Sequence, residues 1–109
     1  MDWPHFGNGT DQARFSPLRQ ITAGNVRQLG VAWTRPEGLN QALWETDPVV
    51  VGGAMFLTTG TDQVIALRAA TGKLLWIYTP RVNFLCLLAA GGTDVPVNRG
   101  VEVANGRVY

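Results

Sequence analysis

The chain has 109 residues, a formal net charge of +1, 13 Gly and 4 Trp, and only 16% of its residues are charged, against a usual ~25%. Its eight arginines and one lysine are scattered, which excludes a basic surface for nucleic acid or an anionic membrane. The lone Cys86 excludes an internal disulfide, and the apolar run 84–90 is far shorter than the ~20 residues of a membrane-spanning helix.

Residues 1–20 are rich in Gly, Asn, Pro and Asp and show no hydrophobic period, which reads as a lead-in loop. No charged and apolar leader opens the chain, so any export signal is expected to have been removed or never to have belonged to it. Thr22 or Asn25 is placed to cap a short helix through Val26 and Leu29, ended by Gly30. Strands are expected at 31–34, 48–51, 54–59 and 64–68, with a fifth at 74–78 after a tight turn at Thr71-Gly72. Gly52-Gly53 fits the two-residue hairpin turn that needs positive φ at both central positions. Residues 80–98 are irregular, and the segment from Gly106 to Tyr109 reads as a strand that stops as it begins. Setting Gly53 against Gly106 gives an internal offset of 53 residues (106 minus 53), which pairs Val50 with Val103 and Phe56 with Tyr109.

Residues 66–76, ALRAATGKLLW, place Ala66, Gly72 and Trp76 at fixed offsets in a hairpin. That spacing resembles the tryptophan-docking repeat of quinoprotein β-propellers, in which an indole lies over the turn of the adjacent blade. Arg68 stands where the repeat usually has Asp. The resemblance extends along the chain: the D-W-P opening at Asp2, R-F-S-P-L from Arg14, I-T-x-x-N-V-x-x-L from Ile21, V-A-W from Val31, E-T-D-P-V-V-V-G-G-A-M-F-L-T-T from Glu45, and V-N-R-G-V from Val97. This ordered series is similar to the amino-terminal segment of pyrroloquinoline-quinone (PQQ) dependent alcohol dehydrogenases. It implies an all-β fold, an amino-terminal fragment of an eight-bladed β-propeller. Residues 1–30 would form a lead-in loop and short helix, 31–79 a first blade, 80–98 an irregular crossing and 99–109 the start of the next blade. A blade takes ~40–50 residues, so the ring cannot close within this length and the chain is expected to be part of a longer protein.

The resemblance assigns two cofactor-binding residues, Glu45 to a polar edge of the quinone and Arg99 to its oxygens. Guanidinium suits that task, since it offers a fixed fork of donors and stays charged beside an oxygen-rich anion. Without the resemblance, Glu45 reads as a solvated residue beside a strand, and Arg99 as a group satisfying backbone carbonyls at a blade corner. Asp47 would share a strand face with Glu45, but no His or further acid completes a metal site there. His5 reads as a surface residue and Gly7-Asn8-Gly9 as a turn. The four tryptophans read as packing anchors, with Trp44 a candidate for lining the cofactor cavity. Many family members carry two adjacent cysteines just before V-N-R-G, whose disulfide stacks on the quinone. Here that position falls at Gly92-Thr93, and Cys86 lies too far upstream, which implies either a branch without the disulfide or a divergent 80–98 stretch.

The implied parent is a periplasmic enzyme that oxidises an alcohol or sugar hydroxyl by hydride transfer to PQQ. It would use a calcium ion held by later blades, and pass electrons to a cytochrome or a membrane quinone. This chain would hold no catalytic residue and no metal ligand, and would not turn over substrate alone. Two other readings compete: a non-enzymatic propeller scaffold of the bacterial envelope, and an inactive truncated relic.

Overall fold

The computed structural model describes residues 2–36, 43–81 and 97–109. Most of the 80–98 stretch, with Cys86 and Gly92-Thr93, therefore lies outside the described residues. The central element is a four-stranded antiparallel sheet in the order β2 (Val49–Val51), β3 (Ala54–Thr58), β4 (Val64–Arg68) and β5 (Leu74–Tyr78). Two smaller pairings flank it: β1 (Leu43–Trp44) runs parallel to β6 (Val97–Asn98), and β7 (Val103–Ala104) forms a hairpin with β8 (Arg107–Val108). Among the described residues no helix is long and apolar enough to cross a membrane.

The strand sequences AMFLT, VIALR and LLWIY are apolar at successive positions because both faces of the sheet are used. Pairing of Met55 with Leu67 and of Leu57 with Ile65 puts these four on one face. There Leu57, Ile65 and Leu67 form the core, with Met55 and Trp33 packed against it. The opposite face carries Phe56, Ala66 and Trp76 in one cross-strand row. Ala66 is fully buried and small enough for its two aromatic neighbours to approach each other over it, with ring centroids 5.9 Å apart at 49°. Every residue of β5 is exposed, as befits the last strand of the sheet among the described residues.

The β2–β3 connection is the expected primed turn, with φ of 58° at Gly52 and 75° at Gly53. On the far side of β2, Trp3 adds one bridge of backbone hydrogen bonds to Val50, 2.6 and 2.8 Å, and the Asp2 carboxylate accepts from the Gly52 N–H at 3.1 Å. The lead-in therefore covers an edge that would otherwise leave its ladder groups unpaired.

Three expectations need correction. Residues 31–34 join no sheet among the described residues: Trp33 is used for its ring and not for ladder bonds. Its indole N–H donates to the Ala69 carbonyl at 2.9 Å, and its six-membered ring lies on Gly72. Gly72 is required there twice over: its φ is 67°, and a Cβ would sit 2.5 Å from Trp33 Cε3. The indole covering the Thr71-Gly72 turn is thus that of Trp33, whereas Trp76 of the same repeat lies against Phe56. The expected helix is only a 3-10 turn over Val26–Gln28, with no forward cap from a side chain. Asn25 instead turns back, its Oδ1 accepting from the Thr22 N–H at 2.7 Å and its Nδ2 donating to the Gln20 carbonyl at 2.7 Å. With no buried residue to hold it, the turn does not propagate. Two strand ends also shift by one residue: the strand expected at 48–51 starts at Val49, after Pro48, which has no N–H for a ladder, and the one expected at 54–59 ends at Thr58, because Thr59 opens the β3–β4 loop.

Candidate functional site

The parallel pair β1–β6 builds the site. Its register aligns Leu43 with Val97 and Trp44 with Asn98, so the next residues along each strand, Glu45 and Arg99, leave the pair side by side. Arg99 Nε lies 3.3 Å from Glu45 Oε2, with the two side chains 79% and 46% exposed. The two residues singled out from sequence are therefore each other's partner. At that exposure the ion pair adds little stability, and its interest lies in where it points.

Both residues line an open cleft of about 610 Å³ together with Phe6, Asp47, Val49, Glu102 and Tyr109 among others. Asp47 is on the same side as Glu45, as its two-residue spacing predicts. The close approach of the 45–47 and 98–100 segments depends on Gly100, whose φ is 117° and whose missing Cβ would lie 3.1 Å from the Asp47 carbonyl oxygen. Thr46 fixes the other segment: its Oγ1 accepts from the Thr58 N–H and the Thr58 hydroxyl, both at 3.1 Å, and Thr58 is only 1% exposed.

Sequence reasoning missed the rest of the cleft. Phe6 comes from the lead-in loop and stacks under the Arg14 guanidinium, 4.4 Å from the ring centroid. His5, read as a surface residue, is hydrogen-bonded to Glu102, so the lead-in loop is tied to the segment entering β7. No local signal in the sequence marks these long-range contacts. The side chain of Trp44 and its relation to the cleft lie outside the described residues. Among the described residues no group of three or more His, Cys, Asp or Glu could hold a metal ion.

The chain is similar to known proteins over nearly its whole length. A family profile described as "PQQ: Glucose/ethanol/alcohol dehydrogenase, beta-propeller domain" matches residues 3–108. The dehydrogenase subunit of an alcohol dehydrogenase (quinone) from Gluconobacter oxydans is 41% identical over 99% of this chain and 14% of that protein. The solved quinohemoprotein alcohol dehydrogenase of Pseudomonas putida HK5 superimposes with a TM-score of 0.87 at 40% identity, over 99% of this chain and 15% of its own. A solved europium-containing methanol dehydrogenase gives a TM-score of 0.84 at 31% identity, over 98% of this chain and 19% of its own. The chain thus spans about one seventh of the curated relatives it matches, and corresponds to one part of a propeller. On the match over residues 3–108 and this all-β geometry, the chain belongs to the PQQ-dependent alcohol dehydrogenase β-propeller family.

Proposed function

We propose that this chain supplies one wall of a PQQ site in a larger periplasmic dehydrogenase that oxidises an alcohol or sugar hydroxyl, with Glu45 and Arg99 as its cofactor-binding residues. The observation that carries the reading is the parallel β1–β6 register, which brings these two residues together at 3.3 Å on an open cleft. The donor set fits the group. Arg99 faces Glu45 through Nε, which leaves both Nη groups to donate to a planar, oxygen-rich anion. Glu45 keeps a second carboxylate oxygen to accept from a polar N–H edge, and Phe6, Val101 and Tyr109 give the cleft apolar surface for a ring.

The bound quinone would supply the hydride acceptor. Arg99 would orient it and hold negative charge that develops on its oxygens, and Glu45 would fix both the cofactor edge and the guanidinium. A calcium or lanthanide ion, the general base and the substrate contacts would come from other parts of the parent. The names of the relatives cover both a quinone-linked alcohol dehydrogenase and a cytochrome c-linked 1-butanol dehydrogenase, and one of these acceptor classes is proposed for the parent. Trp33 on Gly72 is read as a blade-docking contact, with Trp76 making the equivalent contact to a following blade. Residues 31–79 would then form one blade and 99–109 the start of the next.

The test is PQQ titration of the full-length apoenzyme, followed by absorbance. Arg99→Lys keeps the charge and loses the fork, and should weaken PQQ by ~1.5–3 kcal/mol without lowering the melting temperature of the apoprotein. Glu45→Gln should weaken it less, since an amide oxygen still accepts. An Arg99→Lys variant that binds PQQ like the parent and melts early would make Arg99 a corner residue.

A further inference from the structure

Arg99 carries a long side chain that is 79% exposed, so packing does not aim it. Its direction is set by the backbone at its base and by the contact to Glu45. That base is held by a side chain one position upstream. Asn98 Oδ1 accepts from the Gly100 N–H at 2.9 Å, closing a local turn around Arg99, while Asn98 Nδ2 donates to Asp62 Oδ1 at 2.9 Å. The turn that carries Arg99 is thereby tethered to the β3–β4 loop, 36 residues away in sequence.

The loop is built to present Asp62. Thr59 is 4% exposed, and its hydroxyl accepts from the Thr61 N–H at 3.3 Å and the Gln63 N–H at 3.2 Å. The Thr59 N–H donates to the Gln63 carbonyl at 2.9 Å, and the Asp62 N–H to the Thr59 carbonyl at 3.0 Å. Asp62 itself adopts a φ of 62°, a left-handed conformation that Asp tolerates better than most side chains. A buried threonine turn thus fixes one carboxylate, that carboxylate fixes one amide, and the amide fixes the backbone on both sides of the guanidinium.

We propose that Asp62, acting through Asn98, is a positioning residue for Arg99: it pre-aims the guanidinium at the anionic cofactor. This rests on the reading of Arg99 as a PQQ ligand. Pre-aiming matters because a side chain with four free torsions must otherwise be ordered at the expense of binding.

The experiment measures the PQQ dissociation constant of the full-length apoenzyme, with apoprotein melting alongside. Asp62→Gly removes the carboxylate at a φ that glycine adopts freely, and should weaken PQQ about three- to tenfold. Asn98→Asp sets two carboxylates against each other and should weaken it by about tenfold or more. Adding Asp62→Asn to Asn98→Asp reverses the donor and acceptor, and should restore binding to within about twofold of the parent. In an Arg99→Ala background Asp62→Gly should have no further effect. Lack of rescue by the reversed pair, or an undiminished effect of Asp62→Gly in the Arg99→Ala background, overturns the proposal while leaving Arg99 a ligand. Arg99→Ala binding PQQ like the parent overturns the site reading and this proposal with it. Should Asp62→Gly not fold, the Asn98→Asp and reversed-pair variants decide the question alone.

Discussion

The β2–β3 hairpin turns through Gly52-Gly53 and the β7–β8 hairpin through Asn105-Gly106, and all four residues have positive φ, from 51° to 75°. Turn and register are the same: Val51 pairs with Ala54 in one, Ala104 with Arg107 in the other. Their surroundings differ. The first hairpin continues into β4 and β5 and rests on Leu57, Ile65 and Leu67, whereas neither β7 nor β8 has a fully buried residue. Turn chemistry specifies a hairpin in both places, but only added strands provide a core, as expected of a repeat that must stack to bury its faces. The cofactor-site candidates sit where the two copies meet, since β1 precedes the first hairpin and β6 the second.

The contrast can be broken most sharply at its strong end. Ile65 is 2% exposed in the centre of the core, and Ile65→Ala should cost about 2–5 kcal/mol, enough to abolish the cooperative melt of this chain by circular dichroism. A clear melt near the parental temperature would mean that the β2–β5 sheet is not the stable unit. Trp33→Ala should come next at about 2–3 kcal/mol, because it strips the half-buried indole from Gly72 and the core and removes the bond to Ala69. Trp76→Ala should cost this chain only about 1–2 kcal/mol, since the ring is 40% exposed and its ring contact is Phe56. In a full-length parent the same change should cost more, about 3–5 kcal/mol, if a following blade covers that face. Equal losses in the two contexts would show that no blade docks there.

How much of this was legible depended on how local the determinant is. Strands β4 and β5 are where the sequence predicts them, because each apolar run is bounded by its own turn residues and needs no distant information. The 53-residue echo was legible for the same reason, since both turns carry the residue types that positive φ requires. V-A-W at 31–33 misleads because an apolar triplet reads alike whether it joins a ladder or delivers one ring to a turn. Glu45 and Arg99 stood out only through their resemblance to a family, and their mutual contact did not stand out at all. It arises from a parallel register between segments 54 residues apart (99 minus 45), which no local pattern encodes. Asp62 was invisible for the converse reason: it lies in an ordinary Thr-Gly-Thr-Asp loop, and only the fold shows Asn98 above it.

The finest test compares the two turns directly. Gly53→Ala and Gly106→Ala each force a side chain into a left-handed conformation, a strain of about 1 kcal/mol at either site. The strain should appear differently. Gly53 is locked into the sheet, since its carbonyl accepts from the Ala69 N–H at 3.0 Å and the adjoining strand is pinned by Trp3. The β2–β3 turn therefore cannot relax without disturbing the core, and Gly53→Ala should lower the melting temperature of the whole chain. The second hairpin is closed at its open end by the two backbone bonds between Glu102 and Tyr109, 3.1 and 2.9 Å, and neither of its strands holds a buried residue. Gly106→Ala should release its strain by local opening, so that the Glu102 and Tyr109 amides exchange with deuterium several-fold faster while the melt stays in place. If Gly106→Ala instead lowers the melt as far as Gly53→Ala, the second hairpin belongs to the same cooperative unit as the first, and the difference between them lies in exposure alone.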